Sequence, residues 1–376
     1  MGPLQGVKVI EFAGIGPAPM CAMLLADLGA TVLRIDRPVP ADVGIDKPLK
    51  YNLLLRGRSA ISVDLKHPEG VAFVLELLSR ADLCIEGFRP GTMERIGLGP
   101  DACLAANPRL VYGRMTGWGQ DGPLAPTAGH DLNYIALSGA LHAIGRRGQP
   151  PTPPLNLVGD FGGGALLMAF GLLAALHAAR GTGRGQVVDA AMLDGAALLM
   201  TSFFGLHAAG LHSDQRGSNV LDSGAPYYDV YECADGRWLG VAPIEAKFRR
   251  EFLQRLDLAH LEGTDADSFR EAVAARLRSR SRDEWQVLFE GSDACVSPVL
   301  SMAEAPGHPH NRARRVFVEV DGVTQPAPAP RFSATPTALP TPPRATDADA
   351  DQALAAWACA PERLAQLRAL RVLRAS

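Results

Sequence analysis

Cysteine is scarce and scattered in this chain, which excludes two kinds of site. The six cysteines among 376 residues include no Cys-x-x-Cys pair. No histidine stands at the spacing of a zinc partner, so the pattern indicates neither a structural zinc site nor a disulfide framework. We expect no metal site, and we expect buried, reduced thiols at Cys21, Cys84, Cys103, Cys233, Cys295 and Cys359.

The chain also lacks an excess of charge of either sign. Its net charge is −3, with 20% charged and 47% hydrophobic residues, as in ordinary globular proteins. This balance gives no reason to expect a nucleic-acid partner. A polyanionic ligand would have to be bound by locally placed arginines.

Long hydrophobic runs are absent as well. The longest uncharged apolar run, residues 161–176, is rich in Gly and Ala and is too short to span a bilayer comfortably. It predicts a buried core helix. The first residues enter a strand pattern without the features of a signal peptide, and the last three do not form a Ser-Lys-Leu type ending. We therefore expect no membrane association and a cytoplasmic location.

What the chain does contain begins with a β-α-β unit. Residues 7–12 form a short β-branched strand, a glycine turn and a helix follow, and residues 31–36 form a second strand. Such a unit predicts a parallel sheet. The turn lacks a third glycine, and Pro17 and Pro19 offer no backbone N–H to a phosphate. The sequence thus predicts a Rossmann-like sheet but does not assign a dinucleotide to it.

Four arginines recur at or near the carboxyl ends of successive predicted strands: Arg37, Arg58, Arg89 and Arg95. Ligands bind at this edge of open α/β sheets, and the guanidinium group suits phosphate oxygens. Each arginine alone could be a solvated surface residue. Together they favour an anionic ligand that carries phosphate.

A second unit with antiparallel character begins after residue 222. Segments 227–233 and 237–243 flank Ala-Asp-Gly, which is a hairpin signal. Residues 190–208 predict one long apolar helix that is buried or bridges to another subunit. Residues 324–346 are proline-rich and predict an extended strap, and residues 349–373 predict a final helix. The predicted domains are a large Rossmann-like domain (1–189), a linker helix (190–222), a small α+β domain (223–318), and a strap with a C-terminal helix that returns to the large domain (319–376).

An imidazole and a carboxylate begin two predicted helices in the middle of the chain. His130 precedes the predicted helix 135–144, and Asp160 precedes the apolar run. Two such groups on opposite faces of one carbon can remove and return a proton, which inverts the configuration. A histidine or aspartate at a helix start is also a common capping residue, so the pair alone leaves both readings open.

The chain resembles the family III CoA-transferase superfamily (CaiB/BaiF) and, within it, the α-methylacyl-CoA racemases. The resemblance covers nearly the whole length and is carried by collinear motifs. They are Ala13-Gly14-Ile15-Gly16-Pro17, Ala26-Asp27-Leu28-Gly29-Ala30, Arg34-Ile35-Asp36-Arg37-Pro38, Val63-Asp64-Leu65-Lys66, Gly129-His130-Asp131-Leu132-Asn133-Tyr134, Leu155-Asn156-Leu157-Val158-Gly159-Asp160-Phe161 and Gly185-Gln186-Val187-Val188-Asp189-Ala190.

The resemblance implies a two-base racemase of 2-methylacyl-CoA thioesters. His130 would be one base, supported by Glu245, and Asp160 would be the other. The backbone N–H at Asp131 would stabilise the enolate. In the transferases of this family, an aspartate at the position of Asp160 is a nucleophile, and that is the alternative function. The racemase pattern is favoured because the transferases generally lack a histidine at position 130.

The resemblance also implies a binding site for CoA and an assembly. It assigns CoA to Arg37 and to the strand residues Ser62, Val63, Asp64 and Leu65, with Arg58, Arg89, Arg95, Asn133 and Tyr134 as further contacts. It implies an interlocked homodimer, in which Glu245 of the small domain could reach His130 of the other chain. The substrate carries the CoA, so no separate cofactor is expected. A non-catalytic acyl-CoA-binding protein is the remaining alternative, but such a protein would need neither base.

Overall fold

A six-stranded parallel sheet forms the centre of the larger part of the chain. The computed structural model describes residues 2–39 and 44–374. The strands are β1 Lys8–Phe12, β2 Thr31–Asp36, β3 Ser59–Ser62, β4 Leu83–Glu86, β5 Val111–Thr116 and β6 Val187–Ala191. Their order is β3-β2-β1-β4-β5-β6, and all five ladders are parallel. This order confirms the predicted Rossmann-like sheet.

The α-helices of the described residues follow in chain order. They are α1 Pro17–Asp27, α2 Pro68–Leu78, α3 Thr92–Ile96, α4 Pro100–Ala106, α5 Asp131–Leu137, α6 Ala140–Ala143, α7 Leu167–Thr182, α8 Met192–Leu199, α9 Thr201–Ala208, α10 Ala246–Arg255, α11 Ala266–Leu277, α12 Arg282–Phe289, α13 Pro309–Ala313, α14 Ala350–Ala356 and α15 Pro361–Ala369. A π-helix, Leu157–Leu166, runs directly into α7. Short 3₁₀ helices lie at Leu49–Tyr51, Leu53–Leu55, Val220–Asp222, Ala259–Leu261 and Ala305–Gly307.

Apolar layers cover both faces of the sheet. Successive side chains of a strand point to opposite faces. Ile10 and Phe12 of β1 accordingly join a buried layer with α2, α14 and α15. Val9 joins the other layer, which includes residues of α1 and α7. The parallel strands are buried on both faces, as their continuous apolar runs indicate.

The chain divides into two compact units made of interleaved segments. The first comprises Met1–Ser138, Leu155–Leu199 and Ala313–Ser376, and the second comprises Gly139–Pro154 and Met200–Arg312. This division departs from the predicted boundaries in the middle of the chain, where 139–154 groups with the second unit. Arg146 forms an ion pair with Asp229 there, and Arg216 donates hydrogen bonds to the carbonyls of His142 and Gln149.

The second unit has its own sheet and core. Strands β7 Asp229–Glu232, β8 Trp238–Val241 and β9 Val296–Pro298 are antiparallel, as the hairpin signal predicts. Its buried cluster includes Phe252 of α10, Val273 of α11 and Trp285 of α12.

Three predicted helices are wrong in extent. Residues 135–144 break at Gly139, which has a φ of 85°. Residues 190–191 pair with β5 as the end of β6, and the remainder divides at Met200 into α8 and α9. The final helix divides into α14 and α15, where Ala358 has a φ of 56° and Pro361 opens the second helix. An apolar periodicity alone does not show these breaks.

The predicted buried core helix is buried on one face only. Met168, Leu172 and Leu176 of α7 are buried, whereas Leu166 and Phe170 are exposed. By length and composition alone, the continuous helix Leu157–Thr182 could cross a membrane, although it packs against the sheet here. The six cysteines are free, and four are buried as expected, but Cys295 is exposed and Cys359 is only half-buried.

The C-terminal segment binds along the edge strand β3. A hairpin of β10 Phe317–Val320 and β11 Val323–Pro326 precedes it. The backbone N–H of Ser62 donates to Asp347, and that of Asp64 donates to the carbonyl of Val372. Covering an edge strand in this way prevents unwanted strand pairing.

Candidate active site

The predicted bases belong to the first unit, and three of its loops surround them. In the strand order of this sheet, the chain direction of the connections reverses between β1 and β4, and ligands bind at the carboxyl ends of such strands. The loop after β1 ends at Gly16, the loop after β4 contains Arg89, and the loop after β5 leads to His130.

His130 caps the start of α5. Its backbone is extended, with φ −133° and ψ 172°, and its N–H donates to Oδ1 of Asn133 at 3.0 Å. Its carbonyl accepts the backbone N–H groups of Asn133 and Tyr134. The residue is exposed, so the imidazole is accessible to a ligand. The sequence prediction that His130 opens a helix is confirmed.

Asp160 lies in the first turn of the π-helix and is half-buried. Asn156 donates its side-chain N–H to Oδ2 of Asp160 at 3.0 Å. Gly16 lies against the same oxygen, since a Cβ on this residue would be only 3.1 Å from it. The residue before Asn156, Leu155, has a φ of 58°, which is strained for a branched side chain. π-Helices and strained residues both concentrate at functional sites.

Asp131 links the two predicted bases. It is the first residue of α5, and its Oδ1 accepts the backbone N–H of Asp160 at 2.6 Å. Gly159 makes this approach possible, because a Cβ there would lie 2.5 Å from Oδ1 of Asp131. Within the described residues, the backbone N–H of Asp131 has no acceptor, as an enolate-binding group requires.

Burial raises the pKa of the Asp160 carboxyl above its usual value. The hydrogen bond from Asn156 and the charge of His130 oppose this shift, and the negative charge of Asp131 adds to it. A carboxyl group with a raised pKa is suited to exchange protons in both directions near neutral pH.

Two aromatic residues form a wall beside these groups. Trp118 and Tyr134 meet edge to face, with ring centroids 4.7 Å apart. Gly117 and Gly129 lie so close to Tyr134 that a Cβ on either would overlap its ring. Burial, with the charge of Asp160, raises the pKa of Tyr134 to about 12, while Arg89 opposes the shift. The site therefore brings His130, Asp131, Asp160, Tyr134 and Arg89 together.

Arg58 does not lie where a CoA contact is expected. It is buried and forms an ion pair with Glu11 of β1 at 3.0 Å, and it donates to the carbonyls of Pro19 and Leu54. Burial lowers the pKa of Arg58 and raises that of Glu11 to about 7. A guanidinium whose donors are all directed into the protein cannot bind phosphate. We therefore correct this assignment: Arg58 is a structural residue.

The other three predicted arginines are exposed. Arg37 lies over the ring of Phe88, 5.8 Å from its centroid, and Phe88 is next to Arg89 in the loop after β4. Arg95 donates to the hydroxyl of Thr92 in α3. Their outer faces remain available, so their assignment to CoA phosphates stays a prediction.

The predicted CoA strand is committed to the protein itself. The backbone N–H groups of Ser62, Val63 and Asp64 donate to Asp347, Asp36 and Val372. Leu65 packs against a core cluster. Contact of CoA with this segment would therefore need its carbonyls or side chains.

Glu245 belongs to the second unit. It precedes α10 and is exposed, and its carbonyl accepts the N–H of Arg249. Its proposed support of His130 stays a prediction.

Sequence reasoning missed several residues that shape the site. Asn156 and Gly159 contact the carboxylates directly, and both stand in the motif that carries Asp160. Glu86 and Arg114, a buried pair at 2.9 Å, fix the loop that carries Arg89, since Glu86 also accepts the N–H of Phe88. A polar residue inside an otherwise apolar strand was the available signal for this pair. In the part of the chain that the structure describes, no group of three or more His, Cys, Asp or Glu residues is arranged to hold a metal ion.

Comparison with known proteins places this chain in a family. The model of the family described as CoA-transferase family III matches residues 4–349. The α-methylacyl-CoA racemase of Mus musculus is 42% identical over 341 residues, which is 89% of this chain and 87% of that protein. The α-methylacyl-CoA racemase of Homo sapiens is 40% identical over 345 residues, or 90% of this chain and 88% of that protein.

Solved structures agree on the fold. The crystal structure of a CaiB/BaiF family protein from Brucella suis superimposes with a TM-score of 0.79 at 23% identity, covering 95% of this chain and 99% of that one. At this identity the likeness concerns the fold alone. Taken with the family match and the two racemases, it agrees with the sequence motifs. This chain belongs to CoA-transferase family III.

Proposed function

We propose that this protein is an α-methylacyl-CoA racemase that interconverts (2R)- and (2S)-2-methylacyl-CoA thioesters. The observation that carries the proposal is the link from His130 through Asp131 to Asp160, which joins an accessible imidazole and a carboxyl with a raised pKa. The names of the mouse and human relatives support the same reaction.

The proposed reaction proceeds through an enolate. One base removes the α-proton of the thioester while the other, already protonated, delivers a proton to the opposite face. Negative charge develops on the thioester oxygen, where the backbone N–H of Asp131 at the start of α5 can bind it. The carbon keeps its oxidation state, so the reaction needs no redox cofactor.

Binding of the CoA portion is assigned to the exposed arginines. Arg37 lies over the ring of Phe88, Arg89 follows Phe88 in the same loop, and the charges of both arginines suit the phosphates. Arg95 follows in α3 and could extend the same anionic contact.

A homodimer is part of the proposal. Leu157, Leu166, Phe170 and Leu199 of the first unit are each more than half exposed. Residues Leu166 and Phe170 stand four apart on one helix face. Exposed apolar residues grouped in this way mark an interface. In such a dimer, Glu245 of one chain could orient His130 of the other.

The test is to incubate one epimer of a 2-methylacyl-CoA in D₂O and to follow α-deuterium by NMR and configuration by chiral separation. We expect deuterium uptake with loss of optical purity, without an added acid. His130→Ala and Asp160→Asn should each lower racemisation by about 10²-fold or more while CoA binding remains. His260→Ala, which removes an exposed imidazole of the second unit, is the matched control.

A CoA-transferase would give the opposite result. No exchange, with CoA appearing on an added carboxylate and a hydroxylamine-sensitive adduct at Asp160, would make Asp160 a nucleophile and overturn the racemase proposal. Tight binding of the thioester with neither reaction would indicate a binding protein.

A further inference from the structure

The side chain of Asp131 is the one carboxylate of the site that the reaction described above does not use. Only 7% of Asp131 is exposed. Its Oδ1 accepts the backbone N–H of Asp160 at 2.6 Å, while Oδ2 is buried without a hydrogen-bond partner among the described residues. Burying a charged oxygen without a partner is costly. A neutral amide would accept the same N–H without burying a charge, so this hydrogen bond alone does not require a charged side chain at position 131.

The charge acts on Asp160 from a short distance. The groups that face the Asp160 carboxyl are Asn156 of its own segment, His130 and Asp131 at the start of α5, and Gly16 before α1. Tyr134 and Arg89 complete the surroundings, and burial, together with the charges of both carboxylates, raises the pKa of Tyr134. Of these, Asp131 is the like charge, and a like charge nearby disfavours ionisation of a carboxyl group.

We propose that the Asp131 side chain is a positioning residue for the racemisation: Oδ1 fixes the π-helical turn that carries Asp160, and its negative charge keeps a proton on Asp160. This role rests on the proposed function and is separate from that of the Asp131 backbone N–H. When His130 removes the α-proton, a protonated Asp160 forms the new C–H bond on the opposite face. The enolate electrons return to the carbon, His130 is left as imidazolium and Asp160 as carboxylate. In the reverse turnover, Asp160 takes the α-proton and the His130 imidazolium delivers one, which restores the protonated Asp160 and the neutral imidazole.

The role predicts a change in pH dependence that a merely structural residue would not cause. Asp131→Asn keeps the acceptor and removes the charge, so ionisation of Asp160 becomes easier. We expect the limb of the pH–rate profile that Asp160 controls to move toward acid by about one pH unit. The shift should appear for both epimers, because one needs Asp160 protonated and the other needs it ionised. On the falling limb, the rate at fixed pH then drops about tenfold.

The experiment measures kcat/KM for racemisation of each epimer from pH 4.5 to 9 in the full-length protein. Asp194→Asn is the control, since it removes an equal charge from an exposed position of α8 that does not affect Asp160. We expect its profile to match the wild type. If Asp131→Asn fails to fold, as judged by circular dichroism, Asp131→Ser offers a smaller neutral acceptor in its place.

The outcomes separate this inference from the proposed function. Racemisation by the wild type with an unmoved profile in the neutral variant would overturn the role of Asp131 and leave the racemase standing. Absence of exchange in the wild type itself would overturn both. A shift shared equally by Asp194→Asn would show a general effect of net charge and would also contradict the inference.

Discussion

Arg58 and Arg95 are both arginines, but they lie in opposite environments. Arg58 is buried against Glu11, while Arg95 is exposed on α3. Removing one partner of a buried ion pair leaves the other charge without compensation, which typically costs about 3–5 kcal/mol. Exposed substitutions usually change stability by less than about 0.5 kcal/mol.

We therefore predict that Arg58→Met lowers the free energy of unfolding by about 3–5 kcal/mol, measured by urea denaturation above pH 7, where Glu11 is ionised. Arg95→Gln should leave stability unchanged and raise KM for the CoA thioester by about tenfold, since a hydrogen bond to a charged group contributes about 1.5–3 kcal/mol. If Arg58→Met unfolded like the wild type and weakened CoA binding instead, the correction made for Arg58 would be wrong.

Glu11 makes stability depend on pH. It is fully buried, and its pKa in the folded protein is raised to about 7 from 4.5 because burial disfavours the ion. Between these two pH values, the folded state holds a proton that the unfolded chain has lost. The contribution of Glu11 to the free energy of unfolding is therefore fully present below pH 4.5 and is lost as the pH rises through 7. The loss is roughly 3 kcal/mol for a fully buried group.

Glu11→Gln should remove this part of the pH dependence. We expect the unfolding free energies of the wild type and the variant to diverge between pH 4.5 and 7, with the wild type losing stability relative to the variant. The measurement is urea unfolding across that range. Other buried carboxyl groups affect both proteins equally, and parallel curves would contradict the assignment.

At this scale, the sequence predicted the bases but not their neighbours. His130 and Asp160 stand in motifs that the chain order alone reveals. Asn156 and Gly159 contact the carboxylates because a π-helical turn brings them there, and no periodicity encodes that turn. Arg58 looked like a ligand-binding residue because Glu11 lies 47 positions earlier in the sequence, and only the pairing of strands brings the two together.

Among the elements, the π-helix depends on a close approach of α8. A Cβ on Gly195 would lie 1.9 Å from the carbonyl oxygen of Gly163, which is backbone and cannot move aside as a side chain could. A Cβ on Gly163 would likewise lie 2.6 Å from the N of Ala196. The two helices thus touch backbone to backbone next to Asp160.

Gly195→Ala should accordingly destabilise the protein by about 1–3 kcal/mol or more through overpacking, and it should lower racemisation by displacing the turn that holds Asp160. Thermal unfolding and the deuterium assay measure the two effects. Gly205→Ala in α9 is the control, because no atom lies within 4 Å of its Cβ position.

The control has its own expected sign. Alanine is favoured over glycine within a helix, so Gly205→Ala should raise stability by up to about 1 kcal/mol. Equal effects of the two substitutions would contradict the role given to the close approach. The sequence could not have supplied this contrast, since both glycines stand in apolar segments of one predicted helix.

For the whole molecule, the exposed apolar residues of the first unit predict the assembly. Phe170 is 72% exposed on α7, near Leu166. We expect the wild type to be a dimer by light scattering and Phe170→Asp to shift it toward monomer, because a charge buried in an apolar interface is strongly unfavourable.

Val287→Asp is the matched control. Val287 is also 72% exposed but stands alone on α12 of the second unit. It should leave the dimer intact. A monomeric wild type, or an equal shift in both variants, would contradict the proposed interface.

The interleaving of the two units has a consequence for synthesis. The first unit takes its last segment, Ala313–Ser376, from the end of the chain, which is synthesised after the whole second unit. On the ribosome, the edge of β3 therefore stays uncovered until Asp347 and Val372 emerge to bind it. The second unit is complete in sequence earlier. The first strands of the sheet are therefore synthesised early but covered last, and an unpaired strand edge of this kind is prone to aggregation until synthesis ends.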